Sequence, residues 1–236
     1  MSENLEQVVI IAGGLGTRLY PITKRVPKSM VKVGPKPFFE HQIELCRKNG
    51  IRNIVFCGGY LWEEVWKYFG RGRGFGVEID YSIEEEILDT GGALKNAYPW
   101  LDREFFVLYG DSYLVFDWQE AYGFFTRSQA KGLMTVWEAT NGFKPQVSID
   151  ERGFVKEFTK ENFKPEMKYI EYGLNILKKN IIFEVPGEKF PIGDYFNLLI
   201  EKRSLVSFKV KNKFFEAGSF EGINELKRLI YPDDLS

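Results

Sequence analysis

Three short stretches of the sequence put groups that handle phosphate beside backbone able to approach it closely. The first is Ala12-Gly13-Gly14-Leu15-Gly16-Thr17-Arg18, with Pro27-Lys28 a little further on. Glycines let backbone N–H groups close on an anion and turn sharply. Arg18 offers a planar fork that matches phosphate oxygens, and Lys28 adds a compact charge. The spacing is not that of the dinucleotide fingerprint, which would need glycine where Leu19 stands, and no Gly-Lys-Ser/Thr follows as in a P-loop. The second stretch is Gly110-Asp111-Ser112, where a carboxylate after an apolar run suits Mg²⁺, an ion that takes few protein ligands and completes its shell with substrate phosphates. The third is Phe215-Glu216-Ala217-Gly218-Ser219, with a further carboxylate. A loop that merely needs glycine turns, or an Asp that caps a turn, would also account for each stretch alone.

Placing these groups requires strands that end together. Gln7 to Ala12 reads as a short, continuous, β-branched strand buried on both faces. The spacing predicts a helix over Pro37–Asn49, with Phe39, Ile43 and Cys46 on one face and Gly50 as its stop. A strand follows at Asn53–Cys57, a helix at Leu61–Phe69, a strand at Val77–Ile83, a short helix at Gly91–Tyr98 and a strand at Phe105–Tyr109. This alternation predicts a doubly wound, Rossmann-like α/β fold with a mostly parallel sheet, in which ligands bind at the carboxyl ends of the strands. From residue 131 the pattern turns β-rich, with strands expected at 133–138, 147–149, 154–158 and 169–177 and a hairpin turn at Asp150-Glu151-Arg152-Gly153. A helix at Tyr195–Lys202, a strand at Leu205–Val210 and a helix from an N-cap Ser219 to Ile230, burying Ile223, Leu226 and Ile230, complete the chain. With no Pro/Gly/Ser-rich linker and no repeat, the expectation is one domain over 1–236, with a nucleotide-binding half at 7–130 and an acceptor-binding lobe at 131–236.

Ala12-Gly-Gly-Leu-Gly-Thr-Arg-Leu19 followed by Pro27-Lys-Ser-Met-Val-Lys-Val-Gly-Pro-Lys-Pro37 resembles the signature of the sugar-1-phosphate nucleotidyltransferases, and the likeness runs from Val8 to about Ile230. The resemblance implies the nucleotidyltransferase fold. It assigns Gly13, Gly14, Gly16 and Thr17 to the nucleotide loop, Arg18 to the outer phosphates and Lys28 to the α-phosphate. Asp111 becomes a metal ligand. Glu216 takes the place of the second metal carboxylate, normally an Asp, and its extra methylene moves that carboxylate by more than about an ångström. Phosphoryl-type transfer needs positioning and charge neutralisation, and a sugar phosphate is already an ionised nucleophile, so no general base is required. The lone His41 fits that view.

The same resemblance gives the nucleobase to residues 82–94, with Glu84, Thr90, Gly91 and Gly92 as contacts; Ile87 and Asp89 depart from the usual Pro and Gly. No Gln stands in this segment, whereas Glu84 precedes Thr90-Gly91-Gly92-Ala93 as in the guanylyl-transferring branch that acts on mannose or heptose 1-phosphates. Guanine presents two adjacent donors that one carboxylate accepts as a fork. On the acceptor side, Lys160 resembles the lysine that meets the sugar phosphate, with Glu161 in place of the usual Pro, and Glu171 and Gly173 resemble the segment that binds sugar hydroxyls.

Lys and Arg total 32 against 33 Asp and Glu, so no electrostatic case arises for nucleic acid or a membrane surface. No apolar run reaches membrane-spanning length, and the polar amino terminus lacks the features of a signal peptide. Cys46 and Cys57 read as reduced core thiols of a cytoplasmic protein, and Trp62, Trp66 and Trp100 as packing residues. The expected enzyme uses Mg²⁺, a nucleoside triphosphate (GTP first, CTP next) and a small phosphorylated acceptor, as a monomer or small homo-oligomer. A cytidylyltransferase for a sugar or non-sugar acceptor, and a catalytically silent subunit of the same fold, are the alternatives.

Overall fold

The computed structural model describes residues 4–140 and 142–232, so the first three residues of the polar amino terminus lie outside the described residues. In chain order the elements are β1 (Gln7–Ile11), β2 (Lys32–Val33), β3 (Lys36–Pro37), α1 (Phe38–Lys48), β4 (Asn53–Gly58), α2 (Trp62–Phe69), β5 (Glu78–Ile83), α3 (Asp89–Asn96) and β6 (Glu104–Tyr109). They continue with β7 (Ser112–Tyr113), α4 (Trp118–Ser128), β8 (Gly132–Glu138), β9 (Val147–Ile149), β10 (Val155–Phe158) and β11 (Tyr169–Lys178). The last are α5 (Gly193–Glu201), β12 (Leu205–Lys209), β13 (Phe215–Glu216) and α6 (Phe220–Ile230).

A nine-stranded sheet runs in the order β10-β9-β11-β6-β1-β4-β5, with β8 pairing β11 and β12 pairing β8. Strands β6, β1, β4 and β5 are mutually parallel, and β11 joins β6 antiparallel. The β-rich second half thus extends the sheet of the first. The unbroken apolar run of β1 follows from helices on both faces. Val8 and Ile10 enter one core with α1, α2 and α4, while Val9, on the opposite face, packs with Ala93 and Leu94 of α3 and Phe196 and Leu199 of α5.

Most expected elements form within two residues of their expected ends, and the differences have local causes. Helix α3 begins at Asp89 rather than Gly91, and Tyr98 falls in a separate 3-10 turn. Helix α4 was not foreseen as a separate element. Its buried residues Trp118, Ala121 and Phe125 follow helical spacing, and Asp117 caps it by accepting from Gln119 N and Glu120 N. In α6 only Leu226 is fully buried, while Ile223 and Ile230 are half-buried. Trp62 is half-buried, whereas Trp66 and Trp100 are exposed at 41% and 38%, and the fully buried tryptophan is Trp118. Cys46 and Cys57 are free and buried, and burial pushes both thiols up, away from reactivity. His41 donates from Nε2 to the Val33 carbonyl at 2.9 Å, a packing role inside α1. No helix among the described residues is long and apolar enough to cross a membrane.

Candidate active site

Strand β1 lies between β4 and β6, so the chain departs to opposite sides of it, and a crevice opens at the carboxyl ends. Ala12 N donates to the Cys57 carbonyl and Gly110 N to the Ile11 carbonyl, each at 2.8 Å, which draws the ends of β1, β4 and β6 together. The glycine loop then turns through Gly16 at φ 63° into a 3-10 turn at Thr17–Leu19. Leu19 is buried as an anchor, leaving Thr17 and Arg18 at the surface. Thr23, which sequence reasoning passed over, is fully buried and donates from Oγ1 to the Gly16 carbonyl at 2.8 Å, holding the loop from below.

Four charges converge at these strand ends. Lys28 Nζ lies 2.5 Å from Asp111 Oδ2, and Arg18 Nη2 lies 3.8 Å from that oxygen and 3.6 Å from Glu216 Oε2. Strand β13 pairs β7 with Glu216 opposite Ser112, and Ala217 N donates to the Asp111 carbonyl at 2.8 Å, so the backbone itself sets the two carboxylates side by side. The longer side chain of Glu216 folds back onto its own turn, where Oε2 accepts from Gly218 N and Oε1 from the Ser219 hydroxyl. Gly218 keeps this space open: a Cβ there would lie 2.2 Å from Glu216 Oε2 and 2.6 Å from Arg18 Nη2. The Arg18 side chain is 64% exposed and the Lys28 side chain 17%, which places the arginine at the mouth and the lysine inside.

On the opposite side of the glycine loop, Glu84 leaves the end of β5 and folds under Gly13 and Gly59. Its Oε2 accepts from Leu88 N at 3.1 Å, while Oε1 accepts no hydrogen bond from the described residues. Burial pushes this carboxyl up, and the Leu88 N–H pulls it partly back. The residues Gly13, Gly59, Tyr60, Trp62, Glu84 and Ile87 line an open cleft of about 390 Å³ here. Asp89 adopts φ 58°, a left-handed conformation that glycine takes freely and Asp tolerates. Thr90 Oγ1 accepts from Ile192 N at 2.8 Å, and the N–H groups of Gly91 and Gly92 both go to the Phe190 carbonyl, which ties this segment to the approach to α5. A Cβ on Gly13 would fall 2.0 Å from Glu84 Oε1. Gly13→Ala is therefore expected to displace that carboxylate and raise KM for the nucleotide at least tenfold. The melting temperature should hold, because the displaced group is only half-buried. Unchanged nucleotide KM would separate Gly13 from base recognition.

A cavity of about 350 Å³ is lined by Gly14, Lys28, Thr90, Tyr109, Asp111 and Lys160, among others. The Lys160 ammonium stands 5.7 Å from the Tyr109 ring centroid and 6.0 Å from that of Phe158. Glu171 Oε1 accepts from Gly173 N at 3.0 Å and from Asn175 Nδ2 at 2.9 Å. Burial pushes the Glu171 carboxyl up, and the Lys160 charge is the strongest influence in the other direction. Gly173 takes φ 109° where β11 bulges against β8. Sequence reasoning missed Tyr109 and Asn175, whose only signal was a polar group at a strand position otherwise apolar. A larger open cleft of about 600 Å³ beside the 150–153 hairpin contains Arg152, Lys156 and Arg203 but none of the groups above.

A doubly wound sheet with cations and carboxylates gathered on a glycine loop at its switch point defines an α/β protein built to hold phosphate esters for transfer. The chain belongs to the nucleotidyl transferase family, whose model matches residues 7–207. It is 32% identical over 192 residues to D-glycero-alpha-D-manno-heptose 1-phosphate guanylyltransferase of Campylobacter jejuni, covering 80% of this chain and 84% of that one. It is 30% identical over 218 residues to mannose-1-phosphate guanyltransferase of Debaryomyces hansenii, covering 89% of this chain and spanning 60% of that longer protein. Among solved structures, HddC from Yersinia pseudotuberculosis superposes with a TM-score of 0.81 at 27% identity, covering 96% of this chain and all of the other, and has also been solved complexed with GMP-PN.

Proposed function

We propose that this protein transfers a nucleotidyl group from a nucleoside triphosphate to a sugar 1-phosphate, with GTP as the preferred nucleotide and a heptose or mannose 1-phosphate as acceptor. The observation that carries the reading is the convergence of Arg18, Lys28, Asp111 and Glu216 in one charge cluster, with Lys28 and Asp111 lining a single cavity. The acceptor's phosphate oxygen attacks the α-phosphorus, the bond from that phosphorus to the bridging oxygen breaks, and pyrophosphate leaves with the electron pair. Lys28, set inside the cavity, faces the charge that builds on the α-phosphoryl oxygens, and Arg18, at the mouth, takes the departing pyrophosphate. Lys160 meets the acceptor phosphate from the far wall.

Mg²⁺ fits the donor set. The ion is commonly held by one or two carboxylates with phosphates and water for the rest, and Asp111 and Glu216 share Arg18 as a neighbour while remaining partly open to solvent. When bound, it would neutralise triphosphate charge and fix the geometry of the phosphates. The guanylyl character of both named relatives and the nucleotide analogue in the HddC complex support the base assignment. Glu84 Oε1, which accepts no hydrogen bond from the described residues, is the group available to the guanine donors. Cytosine offers only its amino donor on that edge, so the same carboxylate would face an unpaired ring acceptor.

Comparing kcat/KM for the four common triphosphates with mannose and heptose 1-phosphates tests the reading, and preference for GTP is expected. Glu84→Gln should cut kcat/KM for GTP roughly ten- to a hundredfold, the range for one charged hydrogen bond, and leave the poor activity with UTP nearly unchanged. A wild-type preference for CTP, UTP or dTTP would remove Glu84 from the role of guanine reader.

A further inference from the structure

A side chain of the cleft beside Glu84 reaches across to the support of the phosphate loop. Tyr60, in the turn after β4, lines that cleft with Gly13, Gly59 and Glu84. Its hydroxyl donates to the Lys24 carbonyl at 3.0 Å, joining residues 36 positions apart. Lys24 ends the 3-10 turn Ile22–Lys24, and the residue before it is Thr23, whose hydroxyl holds the Gly16 carbonyl. Gly16 leads directly into Thr17 and Arg18. We propose that Tyr60 is a positioning residue that couples the two halves of the nucleotide site, its ring walling the base and its hydroxyl holding the turn that fixes the Arg18 loop. This inference rests on the nucleotide site of the reading above and concerns how base and phosphates are bound together.

Stability alone gives the tether little reason to exist. Tyr60 is 42% exposed, so water would satisfy its hydroxyl if Lys24 did not, and exchanging one partner for the other gains little. The ring has company at the surface. Leu15 of the glycine loop and Ile87 of the segment before α3 are exposed at 40% and 51% and line the same cleft. Apolar side chains scattered singly over a surface are ordinary, but three from separate segments around one cleft mark a groove that a flat ligand covers. The turn that carries Tyr60 is also strained, because Leu61 takes φ 56°, a left-handed backbone that leucine seldom adopts. Such conformations persist where the surroundings fix them, and they cluster at ligand sites. Here Trp62 N donates to the Gly59 carbonyl and Glu84 N to the Gly58 carbonyl. The Glu84 side chain packs so close to Gly59 that a Cβ there would lie 3.0 Å from its Cγ. The carboxylate assigned to the base and the turn that bears Tyr60 are therefore one packed unit. A base seated between them limits the freedom of the turn, and the Tyr60 hydroxyl passes that restraint to Lys24, Thr23 and Gly16. A loop already restrained loses less freedom when it takes up phosphate, so base and phosphate bind with positive coupling.

The coupling is measured by offering the two halves of the nucleotide separately. Calorimetry with Mg²⁺ present gives the affinity for pyrophosphate alone and beside saturating nucleoside, with guanosine, cytidine and uridine each tried. In the wild type the nucleoside that binds should tighten pyrophosphate about fivefold, the lower end of coupling between two sites. Tyr60→Phe keeps the ring and removes the tether. It should bring that factor to one, with the affinity for pyrophosphate alone and the melting temperature unchanged. In turnover the same variant should raise the triphosphate KM about fivefold and leave the acceptor KM as it was, a split that a general loosening of the fold would not give. A wild type without coupling, or a coupling that survives Tyr60→Phe, overturns the inference. So does a wild type that binds pyrophosphate and no nucleoside, because the cleft is then no base site. A protein that couples the two probes through Tyr60 yet turns over no triphosphate with any sugar 1-phosphate would uphold this inference and defeat the transfer reading.

Discussion

Lys28→Met is expected to lower kcat about a thousandfold while leaving the chain folded. The upper end of what one preorganised charge contributes to a transition state applies here, because Lys28 lies inside the cavity and Arg18 at its mouth. Methionine keeps the length of the stem, so packing survives. What is lost is the nearer of the two cations paired with Asp111 among the described residues, at 2.5 Å against 3.8 Å for Arg18. The carboxylate then faces the incoming triphosphate with less compensation, so both the rate and nucleotide binding should suffer, the rate more. Stability should change by no more than about 1 kcal/mol, because the pair is partly solvated. Single-turnover kinetics with saturating triphosphate separate the two effects, and thermal unfolding checks the fold. A variant that keeps even a tenth of the wild-type rate would show that Lys28 neutralises Asp111 and does nothing to the reacting phosphate.

Much of this could be read before the fold was known, because it depends on local rules. The apolar run of β1, the glycine loop and the Ser219 cap each announce themselves over a few residues, and the alternation from β1 to β6 implies a parallel sheet. Distances between remote residues were not legible. Nothing in the sequence says that Lys28 and Asp111, 83 positions apart, lie within one hydrogen bond. The Asp-to-Glu departure at 216 looked like a displacement, but the Gly218 N–H and the Ser219 hydroxyl bend the longer side chain back into the cluster. Asp89, which departs from the usual Gly of the nucleobase segment, occupies a left-handed backbone position that Asp tolerates. Tyr109 and Asn175 escaped notice because a polar residue within a buried strand reads as noise in an apolar pattern, and only the bulge of β11 shows what Asn175 holds. Helix α4 is masked in the sequence because the half-buried Tyr122 and Phe124 lie off the Trp118-Ala121-Phe125 stripe and Gly123 weakens the helical pattern between them.

Asp111→Asn should produce a different signature from Lys28→Met, and the contrast is diagnostic. The substitution preserves shape and removes one negative charge from a cluster of two cations and two carboxylates, leaving Lys28 and Arg18 less compensated. Binding of the triphosphate in the absence of Mg²⁺ should therefore tighten by several-fold, while kcat falls by at least about a hundredfold because the carboxylate that would hold the metal is gone. Saturating Mg²⁺ should not restore the rate, since an amide oxygen is a poor substitute for a charged ligand. Glu216→Gln should behave more mildly. Glu216 already accepts two hydrogen bonds from its own turn, and its loss should raise the Mg²⁺ concentration for half-maximal rate about tenfold with kcat recoverable at high metal. Titrating Mg²⁺ against rate for both variants, beside nucleotide affinity measured by calorimetry in chelator, reads all of these quantities. If Asp111→Asn keeps the wild-type rate and the wild-type Mg²⁺ titration, Asp111 serves the turn after β6 and the counter-charge of Lys28 alone. The metal would then have to be held by the phosphates and Glu216, a weaker arrangement that Glu216→Gln should abolish outright.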